Sequence, residues 1–379
     1  AVVALDGVLA RALVANEEHR RGMEVAERVL EAAEHGDLVD ILARALVTKG
    51  AALGSIGRRR EGIGAIRAAE QLARDNRLDD VLSLALGIRG FLQGDIDIGG
   101  SLDAYREGLA LARRVGNRVA VLRCVNNLGY TAFLTGDWDE ALDHLDGQLA
   151  EDLERADRIA LLANSVIVHA CRGEDVTEKL AELRRLMGEE PLRGSAVGVD
   201  DAMANAALAD GRLSDARAAW RHLADQDAIN APEFRYRAAR AALWDGGVED
   251  ARTDLAALDA TGVHGPVVEL RRTTIRAGLA ALEGRAAEAL GLYRETVRGW
   301  HDLGLPWDEA LAGIDMATRL DPGEAEVQST AASTREILVR LGATPFVERL
   351  DAALARSPSA EPSTSRVAEP TASRSPTTS

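Results

Sequence analysis

The chain has 379 residues, 46% of them hydrophobic but only 3% aromatic, with a formal net charge of −16 at pH 7. That is ample material for a core, and a core so poor in rings is filled by Ala, Leu, Val and Ile, which suits close helix-on-helix packing. The acidic balance argues against direct binding to nucleic acid or to an anionic membrane, and Cys124 and Cys171 are too few for the disulfide framework of a secreted domain.

The first residue is Ala1, so a longer product or a processed form is expected. Residues 1–15, AVVALDGVLARALVA, carry Asp6 and Arg11 and lack a basic leader; they predict a buried helix and not a signal peptide. The longest apolar run, 159–171, contains Asn164 and His169. It falls short of the roughly 20 residues a spanning helix needs. No membrane segment is expected, and the chain is assigned to the cytoplasm.

A turn led by glycine recurs along the chain. It reads GRRREGI at Gly57, GDIDIGG at Gly94, GDWDEAL at Gly136, GEDVTEK at Gly173, GRLSDAR at Gly211, GGVEDAR at Gly246 and GRAAEAL at Gly284. The spacings are 37, 42, 37, 38, 35 and 38 residues, a mean near 38. A glycine that adopts φ > 0 ends one helix. An acidic residue three or four positions later favours the start of the next. Five positions after the glycine stand Gly62, Gly99, Ala141, Glu178, Ala216, Ala251 and Ala289. All but Glu178 are small, as two touching antiparallel helices require. Pro232, Pro266 and Pro306 mark helix starts, and Pro191 marks a long internal loop. Beyond Arg356 the composition turns to Pro, Ser and Thr, which cannot offset the entropy of ordering.

These periods predict an all-α, right-handed α-solenoid of about eight helical pairs. The expected organisation is a first stack over 1–190, a second over 191–320, capping helices over 321–355 and a disordered tail over 356–379.

The unit over 128–145, LGYTAFLTGDWDEALDHL, resembles the tetratricopeptide repeat: Leu128, Gly129, Gly136, Trp138, Ala141 and Leu145 fall on its signature positions. The longer period resembles the looser variant found in large bacterial regulators. The segments over 304–317 (GLPWDEALAGIDMA) and 335–354 (REILVRLGATPFVERLDAAL) resemble the closing part of actinobacterial signalling ATPases. In one subclass an adenylate/guanylate cyclase domain stands first and the repeats end the chain. In the LuxR type a helix-turn-helix follows the repeats. Here the repeats run into the Pro/Ser/Thr tail, which favours the cyclase–ATPase arrangement. The resemblance implies a scaffold that holds a protein or peptide, or its own ATPase domain, on the concave face. It places Arg123, Asn126 and Tyr130 of one unit, and Glu233, Tyr236 and Arg240 of another, toward that groove.

No catalytic constellation is legible. The only lysines, Lys49 and Lys179, lie outside any G-x-x-x-x-G-K-[ST] frame. There is no C-x-x-C, H-E-x-x-H or G-x-S-x-G. His169 and Cys171, two apart on a helix, point about 200° from one another and read as packing. Gly62-Ile63-Gly64 has Arg67 where a dinucleotide fingerprint needs its third glycine. The pairs Asp79-Asp80, Glu189-Glu190 and Asp200-Asp201 read as solvated faces or caps, and Arg58-Arg59-Arg60 as a solvated turn. No cofactor or metal is expected in this chain. The cyclase and ATPase portions that the resemblance implies are not among these residues, so neither activity is assigned to them.

Overall fold

The computed structural model describes residues 2–94, 96–188 and 195–356. Among the described residues there are nineteen α-helices and no strand. Eight antiparallel hairpins follow one another. The first four are α1 (Val2–Ala15) with α2 (His19–His35), α3 (Val39–Ser55) with α4 (Arg59–Asp75), α5 (Asp79–Gln93) with α6 (Ile98–Val115), and α7 (Arg118–Thr135) with α8 (Trp138–Leu149). The next four are α9 (Arg155–Arg172) with α10 (Thr177–Met187), α11 (Ser195–Ala209) with α12 (Leu213–Gln226), α13 (Ala231–Asp245) with α14 (Val248–Ala260), and α15 (Pro266–Leu282) with α16 (Ala286–Asp302). Then α17 (Pro306–Arg319), α18 (Ala325–Leu341) and α19 (Thr344–Leu354) complete an α-solenoid of helical hairpins. The Pro191 loop, the boundary drawn at 190/191 and the tail beyond residue 356 lie outside the described residues.

Local sequence accounts for the hairpins. In α2, Val25, Ala26, Val29 and Ala33 form one buried stripe, while Glu24, Glu27, Glu31 and Glu34 face outward. Six of the seven turn glycines take φ between +76° and +85°. Gly94 differs, at φ −50°; there the Asp97 carboxylate caps α6 by accepting the Gly100 N–H. The small positions sit at the helix contacts: Ala141, Ala216, Ala251 and Ala289 are fully buried. A Cβ on Gly62 would come within 2.6 Å of the Gly50 carbonyl oxygen of α3. Gly129 lies against Leu145 in the same manner. Glu178 is exposed on the short helix α10.

One expectation needs correction. The helix predicted over 1–15 forms, but it is not buried: Val2 and Leu5 are 73% and 71% exposed. It stands at the end of the array and packs on α2 and α3 along its Ala10 and Leu13 edge, so its other face has no neighbouring hairpin.

The solenoid curls until it meets itself. Trp307 of α17 packs against Phe133 and Trp138, with ring centroids 5.7 and 5.1 Å apart. Phe346 of α19 stands edge-on to Trp307 at 4.8 Å. All four rings are buried. Pro306 and Leu341 press on the turn at Gly136, and Pro345 presses on the turn at Gly173. Arg172 donates through Nε to the Leu341 carbonyl oxygen at 3.3 Å. The last helices thus close against α7–α9, five hairpins back in the chain.

Candidate functional site

Closure encloses a cleft of about 270 Å³ along the inside of the coil. Seven first helices in succession contribute to it, among them through Phe91 of α5, Asn126, Asn127 and Tyr130 of α7, Asn164 of α9, Asp201 of α11, Glu233 of α13, Arg271 of α15 and Asp308 of α17. Each hairpin turns its first helix inward, so residues from seven units converge although they are far apart in sequence.

The floor is a hydrogen-bonded ionic network. Tyr130 donates its hydroxyl to Glu233 Oε1. Arg237 donates to the Tyr130 oxygen at 2.9 Å, to both Asp201 oxygens at 3.0 and 3.2 Å, and to Glu233. Trp220 donates to Asp201 Oδ1 at 2.8 Å. Arg271 approaches Glu233 Oε2 at 3.7 Å. Beneath this layer Tyr236 donates to Asp308 at 3.2 Å, and Arg240 donates to the Tyr236 oxygen while its Nε lies 3.4 Å from Asp315. Trp244 donates to Asp315 as well. Four carboxylates (Asp201, Glu233, Asp308, Asp315) thus face four guanidiniums (Arg237, Arg240, Arg271, Arg319).

The electrostatics follow from burial and partner count. Burial alone would raise the Glu233 carboxyl, but Arg237 and Arg271 together hold it below the usual range. Asp201 is raised, because burial outweighs the pull of Arg237. Asp315 is raised for the same reason, against Arg240. Burial also pushes the Tyr130 and Tyr236 phenols up, so both stay protonated and act as donors.

The six residues implied by the repeat resemblance occupy different depths. Asn126, Tyr130 and Glu233 line the cleft. Tyr236 and Arg240, 2% and 4% exposed, lie under its surface within the network. Arg123 sits beyond the cleft's end, its guanidinium against Gly87 of α5. The two triplets are not separate patches, since Tyr130 touches Glu233 directly. Several participants lay unmarked in the sequence. Asp201 reads there as half of a solvated acidic pair, yet it is buried and bonded to Arg237, Trp220 and Asn205. Arg237, Arg271, Asp308 and Asp315 are others. The available signals were a pair of acids inside the mostly apolar segment over 195–209 and an arginine four residues after Glu233.

His169 is likewise more than packing. Its Nδ1 lies 2.6 Å from Glu174 and its Nε2 3.0 Å from Asp146, which also accepts from Ser165 at 2.7 Å. Among the described residues no three His, Cys, Asp or Glu side chains gather to hold a metal ion. None of the described helices is long and apolar enough to cross a membrane. The cleft offers amide donors and acceptors above a neutralised, rigid floor, an arrangement fitted to holding a polar chain.

No family model matches the chain, and no curated protein does. Among solved structures it is similar to the apo form of the quorum sensor NprR from B. thuringiensis, at 12% identity over 90% of this chain and 87% of that one, with a TM-score of 0.38. It is also similar to the P58(IPK) TPR domain, at 14% identity over 93% and 97%, with a TM-score of 0.23. The architecture rests on the chain's own helices and not on these likenesses.

Proposed function

We propose that the chain is a non-catalytic helical-repeat scaffold whose inner cleft holds a protein or peptide partner in an extended conformation. The observation that carries this is the convergence of seven first helices on one polar cleft whose charged floor is already neutralised internally. Asn126, Asn127 and Asn164 each carry a carboxamide, the group that matches both the N–H and the C=O of a peptide backbone. A photoreactive side chain at Asn127 tests the proposal. It should crosslink a partner that the same group at Asp143, on the exposed face of α8, does not. Equal crosslinking at both positions would remove the cleft as the binding site.

The closing segments over 304–317 and 335–354 support a finer reading: the chain is the C-terminal part of a cytoplasmic nucleotide cyclase–ATPase, and its own ATPase domain is one partner. A LuxR-type regulator and a free-standing adaptor are the alternatives. The coding sequence on either side decides among them. A cyclase domain and a P-loop upstream in frame would establish the first, and a helix-turn-helix downstream the second.

A further inference from the structure

Most arginines drawn out of solvent in this fold have a carboxylate at ion-pair distance, as Arg89, Arg217, Arg237 and Arg272 do. Among the described residues Arg319 and Arg349 have none, and they stand together where α13, α17 and α19 meet. Arg319, at the end of α17, donates through Nη2 to the Leu243 carbonyl oxygen of α13. Arg349 of α19 lies over the ring of the next residue, Trp244, with its guanidinium carbon 4.2 Å from the centroid. Arg356 follows α19 and donates to the Ala317 carbonyl oxygen, two residues before Arg319, at 2.8 Å. Three guanidiniums thus gather at the carbonyl ends of α13 and α17, and those carbonyls use only part of their N–H groups. Among the described residues nothing accepts from Arg349, and Arg319 Nε is buried without a hydrogen-bond partner. The hydroxyls of Tyr293 and Thr318 are buried and unpartnered as well. Tyr293, a fully buried side chain of α16, lies within electrostatic reach of Asp315 and Arg319.

The carboxylates within reach do not balance these charges. Asp315 is already held by Arg240 and Trp244, and Asp245 stands exposed at the end of α13. Burial lowers the pKa of Arg319; Tyr293 and Asp315 oppose that, and Arg356 adds to it. Burial lowers Arg349 too, against Asp315, and Arg319 adds to the fall. A guanidinium so placed is relieved by an incoming anion. We propose that Arg319, Arg349 and Arg356 bind inorganic phosphate. Its tetrahedral oxygens can accept from three separate guanidiniums at once, whereas a carboxylate matches the fork of a single one. The nearby ring, Trp244, is already covered by Arg349 and leaves no stacking surface for the remainder of an organic ester, so the occupant is the free ion. Bound there, phosphate ties α17 and α19 to α13 and reinforces the closure made by Trp307 and Phe346. None of the three arginines lines the cleft, so the proposal is independent of what the cleft holds.

The test is calorimetric titration of the full chain with inorganic phosphate, chloride being exchanged for it at constant ionic strength. One saturable site is the expected result, with a thermal midpoint that rises as the site fills. Arg349→Gln should weaken binding by roughly 10- to 100-fold, the range for a charge-assisted hydrogen bond. Phosphate also stabilises folded proteins by exclusion from their surface, and that unsaturable rise should persist in Arg349→Gln. Because Arg349→Gln also gives up the contact with Trp244, Asp245→Asn supplies a second reading. It removes an exposed carboxylate near Arg319, leaves the three arginines in place and should tighten binding severalfold. Arg113→Gln, an exposed position on α6, should change nothing. Absence of a binding heat at millimolar phosphate would overturn the proposal. So would equal affinity in the natural chain and Arg349→Gln, unchanged or weaker binding in Asp245→Asn, or a loss in Arg113→Gln as large as that in Arg349→Gln.

Discussion

Tyr130 and Glu233 are 103 residues apart in the chain and share a hydrogen bond. The bond joins α7 to α13, three hairpins further on, and Arg237 braces it from α13 by donating to both partners. The inner wall of the cleft is fixed by this junction.

Tyr130→Phe removes the hydroxyl and leaves Glu233 and Arg237 each one partner short. The expected loss is about 1–3 kcal/mol, the usual cost of leaving a buried hydrogen-bonding partner unsatisfied. Urea unfolding of Tyr130→Phe, Glu233→Gln and the double variant checks it. The two losses should couple by roughly 1 kcal/mol; strictly additive losses would show that the bond does not operate in solution.

The turn at Gly136 bears two constraints, and a comparison with Gly246 separates them. Both have strongly positive φ, +79° and +80°. A Cβ at Gly246 meets nothing within 4 Å, whereas one at Gly136 stands 2.8 Å from Pro306 and 3.1 Å from Leu341. Gly246→Ala should cost about 1–2 kcal/mol of backbone strain. Gly136→Ala should cost about 1–3 kcal/mol more through overpacking. Equal midpoints for the two variants would contradict the closure of α17–α19 onto this turn.

Closure itself is measurable. Trp307→Ala removes the ring between Phe133, Trp138 and Phe346. Large-to-small changes of this kind cost about 3–5 kcal/mol. Small-angle X-ray scattering should show a larger radius of gyration, since α17–α19 lose their hold on α7–α9. An unchanged radius with the same stability loss would place the strength of closure in the contacts of Pro306 and Pro345.

The His169 cluster predicts a pH dependence. The hydrogen bond to Asp146 raises the His169 pKa, burial opposes it, and the bond to Glu174 adds to the rise, while Lys179 pulls the other way. A histidine raised on folding contributes stability that is fully present below its ordinary value of about 6.5 and is lost as pH climbs through the folded value. Asp146 is held down at about 2: burial alone would raise it, but hydrogen bonds from His169 and Ser165 prevail. Its contribution is present above the ordinary carboxyl value and fades as pH falls toward 2. Denaturant midpoints should therefore drop from neutral pH upward in the natural chain. His169→Gln should flatten that drop; an unaltered slope would remove His169 as its source.

The hairpins were legible in the sequence wherever a glycine led the turn, left-handed at six of seven and not at Gly94. They were not at the joins where Glu17, Asp37 and Arg77 take φ of 66°, 53° and 57°: Glu and Arg rarely adopt that geometry, and Asp adopts it too seldom to mark a turn alone. The inward placing of Asn126 and Tyr130 was implied by the repeat resemblance. The meeting of Tyr130 with Glu233 was not, since the curvature of a solenoid accumulates from small rotations between hairpins and no local pattern encodes it. For the same reason Tyr236 and Arg240, which the repeat resemblance turns toward the groove, lie beneath its surface. Asp201 was misread because an acid beside another acid ordinarily faces water; here Arg237 and Trp220 converge on it from later helices.

An open repeat array unfolds as a line of nearest neighbours, each hairpin answering only to the two beside it. The contact of α17 and α19 with α7 and α9 adds a term between distant members of that line. From α7 to α19 the array then behaves as a loop: no hairpin within it is terminal, and fraying cannot begin at one end without first breaking the aromatic seam. The hairpins α1–α2 and α3–α4 take no part in the seam, and their smaller cores run on into their neighbours: one joins α1 and α2 to α3, the next joins α3 and α4 to α5 and α6. The chain is thus divided by cooperativity and not by a linker: a tail whose hairpins answer only to their neighbours in turn is joined to a ring that opens all at once.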